Sequence, residues 1–449
     1  MFLIKMIKSK TIKFLLIAIG LGIAFLWAMY ALFGKQFIGG LYSGSSIGFL
    51  NKIIQGQSLH SVRFYELAAL DFLVTLTVYA VFSFGLLVAI DFFSQTADRR
   101  AVLFGVGLVF VIILVVEVIL AFLKFKDPLT EHKYSAKYAT KFDYGVSKSG
   151  LESYNVSLVY RKTGEVIYGV NYLTDELSRR ITPVKNLNQR DKFIVFLGDS
   201  FMYGEGIKNE ETLATKVGEK TASYMPYNYG FHGFGPFDIL ARIENTDFQK
   251  EVKESNGTFI YFFIDNHINR TIGSMSVMGW KSKDVYYEWN GKQSLVRRGN
   301  FTTGRPWVTA IYNILKHSRI LRLVNVDFPL RITDKHLDLV GLTIQKMNDR
   351  IAKMYPHGSF YVLIEPGSKH APELIRRFGQ LGIKYLDYTN LYDPKSLNFK
   401  LNEHDGHPSP FAIEAIANKI VLDLNLGKRI LFVEDSRVQD KINFTVKKD

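Results

Sequence analysis

The chain has 449 residues, 47% of them hydrophobic, and a formal net charge of +14. It contains no cysteine, which excludes disulfides, thiolate metal sites and a cysteine nucleophile. The basic balance comes without a block of five or six Lys/Arg and without a zinc-finger or RNA-binding signature, so it does not point to nucleic acid. An anionic membrane surface, or an ordinary solvated basic surface, accounts for it.

Apolar residues crowd the first 123 positions. Phe14 to Gly34 is a charge-free run of 21 residues, long enough for a hydrocarbon core of ~30 Å. Phe72 to Ile90 is a second run, of 19, between Asp71 and Asp91. Ala101 to Leu123 is a third, interrupted by Glu117 alone. The first run is too long for a secretory signal, and no small-residue cleavage site follows it, so residues 1–123 read as an uncleaved module of three transmembrane helices. Lys5, Lys8, Lys10 and Lys13 before the first run, and Arg99 and Arg100 between the second and third, put those segments in the cytoplasm. Three spans then carry everything after Leu123 out of the cytoplasm. Lys124 and Lys126 oppose that orientation. Glu117 has two readings: an intramembrane functional carboxylate, or a side chain that reaches the outer interface seven residues before Lys124. The interfacial reading is preferred.

Residues 124–190 are polar and rich in Tyr and Lys, with a hairpin signal at Lys162-Thr163-Gly164-Glu165, and form a lead-in segment to the main domain. From 191 to 449 the pattern alternates. Strands are predicted at Phe193 to Leu197, Thr258 to Ile264, Phe360 to Ile364 and Lys384 to Leu386. Helices are predicted at Glu211 to Tyr224, Thr333 to Met354, Ala371 to Phe378 and Pro410 to Leu424. Such alternation argues an α/β fold whose parallel sheet is covered on both faces, with the site beyond the carboxyl ends of its strands. Residues 271–332 break the alternation as an insertion, with an Asn290-Gly291 hairpin turn and with Trp280, Trp289 and Trp307, suited to a lid, a substrate wall or a structural flap.

Four segments place chemistry at strand ends. Gly198-Asp199-Ser200 follows the Phe193 strand, where a Ser projects beside free backbone N–H groups, the arrangement that attack on a carbonyl requires. Asp405-Gly406-His407-Pro408 precedes the last helix, where His407 suits the base and Asp405 its orienter, although these are also ordinary turn residues. Asn228 to Gly235 is a glycine-rich loop, and Asp265-Asn266-His267 ends the Thr258 strand. Arg270 is read as an internal salt-bridge partner rather than a substrate contact, and His232 and His267 as shaping the cleft without acting in catalysis. His404, Asp405 and His407 lack a distant further metal ligand.

In order and spacing the four segments resemble the sequence blocks of SGNH (GDSL-type) hydrolases, over roughly residues 190 to 425. The resemblance implies a three-layer α/β/α fold with a mostly parallel, flavodoxin-like sheet. It implies Ser200 as nucleophile, His407 as general base and Asp405 as triad acid. Ser200, Gly233 and Asn266 would form the oxyanion hole, with no metal and no cofactor. Two departures stand out. Asn266 is followed by His267 where the family has Asp, and Asp405 and His407 are two apart where the family commonly has three. A Ser–His dyad is the alternative to the triad. The functions in play are an ester hydrolase acting on acyl esters of a cell-envelope glycan or lipid, a polysaccharide O-acyltransferase working with a partner membrane protein, and a non-catalytic envelope module. The expected location is the cell membrane, multi-pass, with the catalytic domain extracytoplasmic.

Overall fold

A computed structural model describes residues 164–291 and 294–427 throughout, together with four short strand segments between 130 and 160 and scattered positions between 77 and 120. The first predicted span lies outside these residues, as does the second but for Thr77 and Ala80, and the third is described only in places from Val109 to Leu120. Among the described residues no helix is long and apolar enough to cross a membrane. The basic residues that set the expected orientation also lie outside them.

The chain divides into two compact units, residues 1–127 with 310–330, and residues 128–309 with 331–449. The larger unit begins with three antiparallel strands, β1 (Thr130–Tyr134), β2 (Glu152–Tyr160) and β3 (Val166–Thr174), in the order β1-β2-β3. The β2–β3 hairpin turns at the predicted Gly164, whose φ of 75° suits a residue without Cβ. Along β3 buried and exposed side chains alternate, and Tyr168, Val170 and Tyr172 pack with Leu158 and Tyr203.

The central sheet follows. Its strands are β4 (Lys192–Leu197), β5 (Tyr224–Asn228), β6 (Gly257–Phe263), β9 (Ser359–Ile364) and β10 (Lys384–Asp387), in the order β10-β9-β6-β4-β5. All four pairings are parallel. Numbered within the sheet this is 2-1-3-4-5, the flavodoxin-like order. The fold is therefore α/β with a parallel central sheet. Strand β5 was not predicted, because Pro226 interrupts its pattern. The structure puts β5 on the sheet edge, where a missing N–H is tolerated.

Period-two alternation sends the central strands' side chains to two opposite helical layers. Ile194, Phe196, Ile260 and Phe262 pack on α2 (Leu213–Lys220) and α10 (Pro410–Asp423) through Leu213, Val217, Ile413 and Ile416. On the other face Phe193 and Phe259 meet Tyr355, at the end of α8 (Asp334–Met354). Each fully buried Ile or Phe contributes about 1.5–3 kcal/mol. Helices α3 (Pro236–Asn245), α4 (Asn266–Ile272) and α9 (Ala371–Gln380) also belong to this unit.

The predicted insertion holds α5 (Met275–Lys281), the hairpin β7 (Val285–Trp289) with β8 (Leu295–Asn300), then α6 (Pro306–Leu315) and α7 (Arg319–Leu323). The hairpin turns at Asn290-Gly291 as expected, with Gly291 at φ 77°. In the smaller unit Glu117 is buried, and its carboxylate accepts hydrogen bonds from the Ser318 hydroxyl and the backbone N–H groups of Arg319 and Ile320. Its carboxylate is thus engaged by the start of α7.

Candidate active site

Ser200 opens α1 (Ser200–Tyr203), a single turn directly after β4. The sequence forces this turn. Gly198 lies so close to Met202 that a Cβ would sit 2.6 Å from that side chain, and Asp199 caps the helix by accepting from Phe201 N at 3.0 Å. Gly204 ends the turn at φ 86°. Ser200 is therefore held at a strand-to-helix corner, 8% exposed.

His407 reaches it from β12 (Asp405–Pro408), which pairs with β11 (Lys400–Asn402) just ahead of α10. His407 Nε2 lies 2.9 Å from Ser200 Oγ, and His407 Nδ1 lies 2.6 Å from Asp405 Oδ1. The same carboxylate oxygen accepts from the His407 backbone N–H at 2.9 Å. Burial alone would raise the Asp405 pKa, yet these His407 contacts hold it below the ordinary carboxylate value. An ionised Asp405 only accepts, so Nδ1 carries the proton and Nε2 is left to accept from the Ser200 hydroxyl. Burial opposes charge on the His407 imidazole, but Asp405, with Glu205 and Asp199 farther off, raises its pKa above the ordinary value of 6.5. The two-residue spacing works because the Asp405 side chain folds back onto its own strand, bonding both the backbone and the ring of His407.

The loops after the neighbouring strands converge on this corner. Asn228, at the end of β5, donates to Met202 O at 3.1 Å and accepts from Gly230 N at 3.0 Å, so it ties α1 to the glycine-rich loop. Gly230 packs against α1 so closely that a Cβ would lie 2.5 Å from Tyr203 N. Phe231 N then donates to Gly198 O at 3.1 Å. Gly233 follows at φ 69°. Asn266 is the exposed first residue of α4, beyond the end of β6. Ser200, Gly233 and Asn266 thus follow three adjacent strands at their carboxyl ends, and β4 and β6 flank the point where the strand order reverses.

Beneath the nucleophile lies a buried charge cluster. Arg270 Nη1 donates to Asp199 Oδ2 at 2.5 Å and to Phe234 O at 2.7 Å. His267 Nε2 is 3.5 Å from the same Asp199 oxygen, and its Nδ1 shares a 2.7 Å hydrogen bond with Tyr261. Although burial alone would raise the Asp199 pKa, Arg270 and His267 hold it well below the ordinary carboxylate range. Burial lowers the His267 pKa. Arg270 is the internal salt-bridge partner that was expected, and it joins the Ser200 turn to the Gly233 loop.

Three acidic groups were not anticipated. Glu205 accepts from Tyr168 at 2.7 Å and pairs with His232 Nδ1. No local signal marks it, since its partners come from β3 and the β5 loop. Asp199 carries no sequence signal beyond that of a turn residue. Glu365 directly follows β9 and accepts from Asp265 N at 2.6 Å. Burial, with Asp265 and Asp199 nearby, pushes its pKa up to about 8. A carboxylate immediately after a predicted central strand was a usable signal for Glu365. His404 pairs with Glu403, and the described residues contain no group of three His, Asp or Glu arranged to hold a metal ion. A cavity of about 730 Å³ lined by Arg179, Arg190, Tyr227 and Lys253 lies at the amino ends of the strands, opposite the Ser200 end.

No protein-family model and no curated sequence matches the chain. Solved structures similar to it include a member of the lipolytic protein G-D-S-L family from Veillonella parvula, at 14% identity over 52% of this chain and 97% of that one, with a TM-score of 0.31. An acetyl xylan esterase from the rumen bacterium Butyrivibrio proteoclasticus matches at 10% identity over 54% of this chain and 65% of that one, with a TM-score of 0.32. A carbohydrate esterase matches at 10% identity over 67% of this chain and 99% of that one, with a TM-score of 0.31. These likenesses are distant, and any functional reading rests on the chain's own residues.

Proposed function

We propose that the protein is a serine-dependent ester hydrolase of the SGNH type, acting on acyl esters of a cell-envelope glycan or lipid through an acyl-Ser200 intermediate. The observation that carries this reading is the hydrogen-bonded relay Asp405–His407–Ser200, at 2.6 and 2.9 Å. In the forward step His407 Nε2 takes the Ser200 proton as Oγ bonds to the acyl carbon, and Asp405 stabilises the imidazolium. The oxyanion is received by the N–H groups of Ser200 and Gly233 and the Asn266 amide. His407 then returns its proton to the departing alkoxide. Water, deprotonated by His407, releases the acid and restores Ser200.

The proposal includes the predicted spans, which make the chain an integral membrane protein with its catalytic unit outside the cytoplasm. An O-acyltransferase shares every step as far as acyl-Ser200 and would use a sugar hydroxyl in place of water, with a partner membrane protein to supply the acyl group. The relay serves both readings equally, so the fate of the acyl group is what separates them. A non-catalytic module would have no use for an assembled relay.

The test is turnover of p-nitrophenyl acetate by the full chain in detergent. Wild type is expected to release nitrophenol, and Ser200→Ala to lose at least ~10³-fold in kcat with its melting transition retained. Undiminished turnover in that variant overturns the nucleophile assignment. A labelled acyl donor supplied with envelope oligosaccharides separates the two enzymatic readings: label recovered as free acid supports hydrolysis, and label on the glycan supports transfer.

A further inference from the structure

The second half of the insertion carries an apolar surface with no role in the proposed chemistry. Helix α6 exposes Trp307 by 82%, Ile311 by 53% and Ile314 by 42%, and beyond α7 Val324 and Leu330 are 57% and 74% exposed. From 310 to 330 these residues belong to the same compact unit as the N-terminal segment that holds the third apolar run. The Glu117 carboxylate fastens the two parts of that unit together. It accepts from Arg319 N at 2.8 Å and Ile320 N at 3.1 Å, and from the Ser318 hydroxyl, so first-turn N–H groups of α7 are satisfied by a side chain of the apolar run.

That run is itself two-sided. Glu117 and Leu120 are buried, whereas Val109, Ile112, Val115, Val116 and Ile119 are exposed at helical spacing. The unit therefore presents apolar residues to its surroundings from both of its parts. The composition of the inserted part fits a particular environment. Between 306 and 331 the half-buried Lys316 and Arg322 and the exposed Arg331 accompany a single acid, Asp327, while Arg319 is buried, and Trp307 and Tyr312 accompany the aliphatic residues. Aliphatic side chains with Trp, Tyr and a basic excess make up a segment that lies in a membrane interface, with apolar groups among acyl chains and cations among anionic headgroups. Glu117, seven residues before the Lys124 end of its run, belongs at that depth.

We propose that residues 306–330 form an interfacial element seated in the bilayer surface beside the third apolar run, its exposed apolar side covered by lipid. The proposal rests on the reading of residues 1–123 as a membrane module. Glu117 then works as the clasp between span and interfacial element, which explains why a carboxylate interrupts an apolar run: it meets the backbone and hydroxyl donors of α7 rather than lipid.

The absence of cysteine makes the test direct. Ile311→Cys and Val324→Cys are each labelled with an environment-sensitive NBD fluorophore in the full chain, reconstituted into phosphatidylcholine–phosphatidylglycerol vesicles with and without doxyl-labelled phosphatidylcholine. Ile112→Cys reports on the third run, and Lys253→Cys on the exposed surface of the catalytic unit. The expected result is blue-shifted emission and quenching by doxyl lipid at 311, 324 and 112, with neither at 253. Quenching at 112 together with water-like emission at 311 and 324 overturns the interfacial element and leaves the membrane module standing. Blue-shifted but unquenched emission at 311 and 324 means that protein, a second copy or a partner, covers the face, and overturns it too. Water-like emission at all four positions overturns the membrane module, and the interfacial element with it.

Discussion

His407 has to be neutral to take the Ser200 proton, and its pKa is raised by Asp405 against the opposing effect of burial. Activity should therefore fall on the acid side along a limb centred above the ordinary imidazole value of 6.5. Asp405→Asn removes the charge that holds that proton, so the limb should move to lower pH while kcat drops by ~10²–10⁴-fold. A kcat/KM profile of both proteins checks this, and an unmoved limb would show that Asp405 does not set the His407 charge. Glu365 titrates with the opposite consequence for folding. Its pKa in the folded chain, about 8, exceeds its ordinary value of 4.5, so the folded state binds the proton more tightly than the unfolded state. Its contribution is present below pH 4.5 and is lost as pH rises toward 8. Glu365→Gln should flatten that decline, with a higher Tm than wild type at pH 9 and little difference at pH 4, as thermal unfolding at the two pH values would read. Asn266→Ala removes one of the proposed oxyanion donors, for which a loss of about 10²–10³-fold in kcat is expected, with KM for a short ester little changed.

The elements around Ser200 are held by polar contacts from distant parts of the chain. Helix α1 is a single turn and has little intrinsic stability. Its position comes from the Asp199 cap, from Asn228 on β5, and from Gly230 pressed against its backbone. Arg270, one turn into α4, secures the same corner from beneath by binding both Asp199 and Phe234 O. Both ends of this ion pair are buried, so removing one partner strands the other. Arg270→Met should destabilise the catalytic unit by about 3–5 kcal/mol, read as a fall in Tm, whereas the exposed Lys250–Asp247 pair is screened by solvent and adds little. An unchanged Tm in Arg270→Met would show that Asp199 is neutralised by other means. The hairpin β11–β12 plays the corresponding part for His407, delivering the imidazole from the end of the chain to a nucleophile more than two hundred residues earlier.

At the scale of the whole molecule, the insertion that leaves the catalytic unit after Thr309 and returns at Arg331 belongs in between to the unit formed with residues 1–127. The chain therefore passes between the units at 127–128 and again on either side of 310–330. On the proposed topology, three spans and a cytoplasmic N-terminus would turn the catalytic unit outward. A reporter fused after Leu123 should give an extracytoplasmic signal in cells, and a cytoplasmic one would reverse the topology and the proposed envelope substrate with it.

Much of the catalytic unit was legible in the sequence because its signals are local. Alternating strand and helix periods, a glycine-rich corner after Leu197 and an Asp-Gly-His-Pro turn before the last helix each lie within a few residues. The strands at Phe193, Thr258 and Phe360 announce themselves as apolar runs because both faces of a covered parallel sheet are buried. Edge strand β5 did not, since Pro226 reads as a breaker until its place in the sheet is known. What required the tertiary structure was every relation between distant residues. Asp405 and His407 had to be placed on one short strand for their spacing to make sense, and the Arg270–Asp199 pair, the Glu205 cluster and the Glu117 clasp join residues far apart in the chain. Sequence carries the periodicity of local structure. The burial that gives a charge its partner and shifts its pKa is a property of packing, and packing is settled only when the whole chain has folded.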